Sequence, residues 1–374
     1  MKQQVVIPAS PLRKVQSPSS HPLCGYTKGL DIVLTRKHVS LPYTILVIFA
    51  VFLAACSRGA EVTSRGSAFL VDLILTHPED LKAVQIQDGD LLHVVATTSI
   101  VADVVANVGG NAIELKSIIP RMTDPHGYQL TPGDLRMLHD ADVVFINGLG
   151  LEEALEQSLA QLPEDIAIVS LSEGIQLHEL NPERIDTNAD HASEANTHTG
   201  VDPHVWFDPL NITVWTDNTA QSLATLDPAN AATFQANSDA FNDQLEDLHN
   251  WILTQLEDIP KEDRRLVTDH LLMGYFAQRY DIDILNALLP AFSSAASPSA
   301  QELADIEDNI RQFGVKVIFI GITSNRQIAE QVARDTSVAV VPLYTGSLSE
   351  LNGPASTYLT FMQYNVRAIA NALK

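Results

Sequence analysis

The chain has 374 residues, 45% of them hydrophobic, and a mean hydropathy near zero, so it is an ordinary globular protein with length for two domains rather than a disordered or fibrous chain. Forty-six acidic residues against 23 basic ones give a formal charge of −23, a field that repels phosphate backbones and excludes nucleic acid as a partner. Two cysteines, Cys24 and Cys56, are too few for a disulfide framework or a four-sulfur zinc site.

Residues 41–55, LPYTILVIFAVFLAA, form an uncharged apolar run behind Arg36 and Lys37, the layout of a signal peptide, and the run is short for a spanning helix. Its end, Leu53-Ala54-Ala55-Cys56, resembles a bacterial lipobox, in which the cysteine is lipidated and becomes the first residue. An uncleaved anchor is the alternative, and either reading exports the rest of the chain. Residues 1–56 are thus expected to be leader and lipoprotein signal peptide, and losing them removes six basic residues and one acid. The exported part is then more acidic still, which suits a soluble body held at a membrane by acyl chains. Residues 57–91 carry no clear motif and read as a tether.

From His93 apolar strands alternate with helices. VVATTS is a strand, followed by a helix from Ile100 that stops at Gly109-Gly110, a site for a left-handed helix end. AIELKSII is the next strand. Thr131-Pro132-Gly133-Asp134 offers a cap, a first-turn proline and an acid three residues on, which starts a helix ending near Asp140. Strand 142–147, helix 151–162 and strand 166–170 follow. Residues 174–203 lose the pattern and read as a polar loop. A helix from Pro209 to about Leu226 precedes a long one from Pro228 to about Ile259, whose Phe234, Phe241, Leu245, Leu248, Trp251, Ile252 and Leu256 recur at helical spacing. At 1.5 Å per residue it spans roughly 45 Å, enough to cross a domain.

The alternation then resumes. RLVTDH and DIDIL are strands around a helix over 270–280, and a further helix starts at Ser297 or Ser299 and closes at Gly314. Strand 315–320, helix 325–335, strand 338–343 and a last helix from Pro354 to Lys374 complete the chain. The expected fold class is therefore α/β, with two lobes of mainly parallel sheet flanked by helices. An N-terminal lobe spans 92–227, a connecting spine helix 228–260 and a C-terminal lobe 261–374. Loops at strand carboxyl ends gather ligands in such sheets, and two facing sheets make a cleft.

Three histidines stand at such places: His126 in Asp124-Pro125-His126, His204 in Asp202-Pro203-His204 and His270 at the end of RLVTD. Three imidazoles from strand-end loops suit one cation, although separations of 78 and 66 residues form no local signature such as HExxH. Trp206, Phe207 and Tyr275 beside them read as core or cleft wall.

The runs VVATTSIVADVVANVGG, DPHGYQLTPGDL, ADVVFINGLGLE, DPHVWFDP, VTDHLLMGYFAQRY and TYLTFMQYNV, in that order from about residue 93 to the end, are similar to the solute-binding proteins of zinc and manganese ABC transporters. The resemblance implies two α/β lobes joined by one long helix, a metal in the cleft between them, and His126, His204 and His270 as three ligands. Two positions depart from that family. Its common fourth ligand, an aspartate, is matched by Gly346, and a second acid that often ends the preceding strand is matched by Gly321. The fourth place is then expected to hold water or Glu350, the nearest acid in sequence.

A set of neutral imidazoles suits Zn2+ over Mn2+. Asp124, Asp202 and Asp269, behind the ligands, are placed to offset the missing carboxylate's charge. His178, Asp190, His191 and His198 in the polar loop read as solvated loop or as a minor metal-gathering segment. The expected function is a non-enzymatic, monomeric lipoprotein, anchored through acylated Cys56 on the outer face of the cytoplasmic membrane or in the periplasm, that captures zinc and delivers it to an ABC permease. The alternatives are a metal-binding cell-adhesion protein and a zinc hydrolase, the latter disfavoured because Gly321 and Gly346 leave no base beside the ion.

Overall fold

The apolar runs build two parallel four-stranded sheets. Strands β1 (Leu92–Ala96), β2 (Ile113–Ser117), β3 (Val143–Ile146) and β4 (Ala167–Ser170) form the first, in the order β2-β1-β3-β4. Strands β5 (Arg265–His270), β6 (Asp283–Leu289), β7 (Val317–Gly321) and β8 (Ala339–Leu343) form the second, in the order β6-β5-β7-β8. The computed structural model describes residues 75–177, 201–289, 294 and 298–374, apart from residue 88. The expected leader, Cys24, the expected lipidation site Cys56, His178, Asp190, His191 and His198 lie outside the described residues.

The strands read as unbroken apolar runs because both faces of each sheet are covered. Val94, Ala96, Val143 and Phe145 point to one side, while Val95, Val144 and Ile146 point to a separate cluster with Leu138, Leu155 and Leu159. In the second sheet Leu266, Val317 and Phe319 face inward, and Val267, Ile318 and Ile320 pack with Ile306, Ile310 and Val332. The inward faces of both sheets join one continuous core.

Local chemistry fixes the helix ends. The Thr98 side chain accepts from the Val101 N–H to start α1 (Ser99–Gly109), which stops where Gly110 takes φ +56°. Thr131 and Asp134 close a reciprocal capping box on α2 (Pro132–His139). Helix α3 (Glu153–Leu159) is shorter than the 151–162 expected. Helix α4 (Pro209–Leu226) is capped by Asp208, and α5 (Ala231–Glu257) is the long helix, which runs roughly 40 Å after one 3-10 turn at Pro228–Asn230. Its buried stripe of Phe234, Phe241, Leu245, Leu248, Ile252 and Leu256 packs on α1 and α4 from the first half and on α9 (Tyr358–Leu373) from the second.

Helices α6 (Gly274–Tyr280), α7 (Ala300–Phe313) and α8 (Arg326–Thr336) flank the second sheet. Ser299 rather than Ser297 caps α7, in a box with Glu302. Three expectations shift. Helix α6 starts four residues after His270, so this histidine belongs to the strand. Helix α9 starts at Tyr358 rather than Pro354 because Thr357 and Thr360 form its cap. The last part of the expected tether lies on the body: Thr76 N–H donates to the Ile168 carbonyl on edge strand β4, Val84 N–H to the Leu226 carbonyl, and Leu81 is buried. An apolar leucine with a place in the core outweighs a motif-free context. No helix among the described residues is long and apolar enough to cross a membrane.

Candidate metal centre

Each of the three histidines is held by an aspartate that precedes it. After β2 the chain makes a 3-10 turn, Pro125–Gly127, capped by Asp124, whose Oδ1 accepts from the His126 N–H at 3.0 Å. The other Asp124 oxygen accepts from the Ser294 hydroxyl. Before the turn Val205–Phe207, Asp202 Oδ1 accepts from both the His204 N–H, at 2.9 Å, and its Nδ1, at 2.8 Å. At the end of β5, Asp269 Oδ1 accepts from the His270 N–H at 2.9 Å and from its Nδ1 at 3.0 Å. A carboxylate behind Nδ1 keeps the proton there and leaves Nε2 as the lone-pair atom.

These rings meet. Their centroids are separated by 5.3 Å (His126 to His204), 5.6 Å (His126 to His270) and 5.3 Å (His204 to His270). One nitrogen from each lies within 4.8 Å of the others, and the Nε2 atoms of His126 and His204 are 3.2 Å apart. A tetrahedral shell with Zn–N of about 2.05 Å needs nitrogens about 3.3 Å apart, so one edge of such a shell already exists. Among the described residues this is the one group of three or more candidate ligands so arranged. His204 and His270 are buried and His126 is half-buried.

Electrostatics differ between the rings. Burial lowers the His204 pKa and prevails over Asp202. Burial also pulls on His270, but the Asp269 charge and hydrogen bond outweigh it and raise that ring's pKa. Burial alone raises a carboxyl, yet the His270 charge, with hydrogen bonds from His270, Ser324 and the Gly321 N–H, holds Asp269 at about 2.

The walls are locked. Trp206 stands edge-on to His204, and its Nε1 donates to the Thr345 carbonyl at 2.9 Å. The Tyr275 hydroxyl donates to the Asp202 carbonyl and the Tyr358 hydroxyl to the Trp206 carbonyl. Arg121 Nη1 donates to the Ser349 and Ser356 carbonyls, both at 2.8 Å, and Met122 N–H donates to the Leu348 carbonyl, joining the first half to the loop after β8.

The two glycines are not spare room. A Cβ at Gly346 would stand 2.7 Å from Pro125 Cδ, and one at Gly321 would stand 2.5 Å from Ser324 Oγ and 2.6 Å from Thr345 Oγ1. Glu350 is exposed in the turn closed by Gly353 N–H to its carbonyl, and it is not part of the three-histidine group. The aspartates beside the histidines were visible in the sequence. The Arg121 bridges and the contact between Asp269 and Gly321 had no sequence signal.

Known proteins resemble the chain over most of its length. Manganese-binding lipoprotein MntA of Halalkalibacterium halodurans is 29% identical over 288 residues, 77% of this chain and 90% of that protein. The manganese ABC transporter substrate-binding lipoprotein PsaA of Streptococcus pneumoniae is 26% identical over 339 residues, covering 88% of this chain and 98% of that one. Among solved structures, the periplasmic zinc binding protein TroA from Treponema pallidum superimposes with a TM-score of 0.66 at 26% identity, over 76% of this chain and 99% of that one. A Cd-bound periplasmic metal binding protein from Candidatus Liberibacter asiaticus gives a TM-score of 0.66 at 25% identity, over 76% of this chain and all of that one. Residues 94–372 match the family described as zinc-uptake complex component A, periplasmic, and the chain belongs to that family of solute-binding proteins.

Proposed function

We infer that this extracytoplasmic protein is the substrate-binding component of a metal ABC transporter, and that it captures zinc through His126, His204 and His270 for delivery to a membrane permease. The observation that carries the reading is the meeting of three imidazole nitrogens within 4.8 Å, two of the rings backed by carboxylates on Nδ1. The donor set supports zinc. An all-nitrogen group with no carboxylate ligand suits zinc over manganese in both softness and affinity order, even though relatives such as MntA and PsaA are named for manganese. Water completes a four-coordinate shell in this reading. Acylation at Cys56 is the proposed membrane attachment.

The protein's own groups do the binding work. Asp202 and Asp269 orient two rings, Trp206 walls off one side, and the cleft charge falls as the dication meets a site backed by three carboxylates. A ring binds only when neutral, so a protonated imidazole must first shed its proton, zinc affinity falls as pH drops through the histidine range, and His270, whose pKa is raised, holds its proton to higher pH than His204, whose pKa is lowered. Helix α5 packs on both halves without a break, so a large lobe rotation would cost it backbone hydrogen bonds.

The test is a competition titration of zinc and manganese against a chelator, with wild type and His270→Ala. Tighter zinc than manganese in wild type, with zinc lost in the variant, supports the reading. Equal zinc affinity in the two proteins removes His270 from the site.

A further inference from the structure

Resting on the three-histidine reading, we propose that Asp269, lodged in the gap at Gly321, is the positioning residue that fixes the ring orientation and proton position of His270, so that positions 269 and 321 are mutually exclusive seats for one carboxylate.

The carboxylate is 5% exposed at the residue level and accepts from four donors. The His270 N–H and Nδ1 reach one oxygen, while the Gly321 N–H, at 2.9 Å, and the Ser324 hydroxyl complete the set. A carboxylate has about four acceptor positions, so this one is saturated. An ionised carboxylate has no proton to give, hence His270 Nδ1 must donate, and the lone pair of the neutral ring is on Nε2, toward the other two rings. Asp202 does the same for His204 within one loop. Asp269 differs because its second oxygen crosses to the end of a neighbouring strand, tying the orientation of His270 to the backbone at Gly321.

That tie depends on glycine. A Cβ at 321 would stand 3.1 Å from Asp269 Oδ2, as well as crowding Ser324 and Thr345. Any side chain there pushes on the carboxylate that orients the ring. Once Asp269 is shortened, the same space is free to take an acid grown from 321. The two positions therefore carry opposite signs alone and together, which summed charge alone does not produce, and the ring's proton position separates this exchange from simple refilling of space.

The experiment uses zinc as the probe on wild type, Asp269→Ala, Gly321→Asp, the double variant and His270→Ala, with 15N-histidine NMR of the metal-free proteins in mildly alkaline buffer. Wild-type His270 should be protonated on Nδ1, and Asp269→Ala should show both tautomers and bind zinc roughly ten- to hundred-fold more weakly. Gly321→Asp alone should also bind more weakly. The double variant should recover most of the loss of Asp269→Ala and restore the Nδ1-protonated ring. Undiminished zinc affinity in Asp269→Ala, with His270→Ala weakened, would overturn the positioning role and leave the three-histidine site standing. A double variant no tighter than Asp269→Ala would overturn the exchange. Should Asp269→Ala fail to fold, a wild-type His270 protonated on Nε2 would overturn the proposal by itself. Full affinity in His270→Ala would remove the underlying site, and this role with it.

Discussion

The two sheets share one strand order, β2-β1-β3-β4 and β6-β5-β7-β8, yet they offer their candidate ligands differently. The first half supplies His126 and His204 from loops, each inside an Asp-Pro-His turn whose backbone is fixed by its own aspartate. The second supplies His270 from the last residue of a strand and relies on the next strand to fix it. Ladders differ too. β1 pairs with β3 at three successive positions, whereas β5 pairs with β7 at Thr268 and Phe319 alone and carries a register shift against β6 between Leu266 and Val267. A loop ligand can be placed by local turn chemistry, while a strand ligand inherits its place from the sheet. The same fold plan thus gives one pair of candidate ligands fixed mainly by their own turns and one that depends on the next strand.

The sharpest break of that comparison is ligand removal. His204→Ala and His270→Ala should each weaken zinc by more than about a hundredfold, beyond what loss of an outer partner costs, as read by chelator competition. If both halves share one ion the two losses are comparable, and a variant of either half that keeps full affinity would separate them.

A second effect distinguishes the buried acids of the halves by the sign of their pH dependence. Glu152, in the first half, is raised from 4.5 to about 7 by burial, against hydrogen bonds from Thr97 and the Asn147 and Gly148 N–H groups. Its folded state binds more protons than its unfolded state in that window, so its contribution to stability falls as pH rises from about 4.5 to about 7, by a few kcal/mol at most. Asp269 runs the other way. Held at about 2 against 3.8, it contributes stability above pH 3.8 that is lost as pH falls toward 2. Urea unfolding of the metal-free protein across pH should show the first slope flattened in Glu152→Gln and the second flattened in Asp269→Ala.

Gly346→Asp probes the contact between the halves. With its Cβ 2.7 Å from the stiff Pro125 ring, the substitution should cost about 1–3 kcal/mol and lower Tm by several degrees, while an added oxygen donor moves the zinc-to-manganese affinity ratio toward manganese. A variant as stable as wild type would mean that the Pro125 turn yields freely. The smallest effect is expected at the caps. Thr131→Ala in the first half and Ser299→Ala in the second should each cost about 1 kcal/mol in denaturant midpoint analysis, with metal affinity unchanged.

Period and punctuation carried much of the architecture. Runs such as VVFI and VIFI could be placed as strands because strands buried on both faces are apolar throughout, and Gly110, Gly314 and Ser299 ended or started helices where left-handed turns or caps are required. Boundaries slipped where two signals competed, as at Pro354 against Thr357, where the cap prevailed over the proline. Tertiary fit hid the rest. Nothing in the letters around Leu81 announces a core residue, and nothing in Phe-Ile-Gly tells that the glycine's neighbour across the sheet is an acid. The three histidines stood out as strand-end residues in an ordered set of motifs. Their convergence is a product of two loops and a strand more than sixty residues apart, and only folding brings it about.

The seam between the loop after β8 and the first half draws on main-chain acceptors: the carbonyls of Thr345, Leu348, Ser349 and Ser356. Hydrogen bonds of that kind are blind to which side chain sits above them. Exchanges at those four positions leave the acceptors of these bonds in place, whereas on the facing bank a single exchange such as Arg121→Ala unfastens two bonds at once.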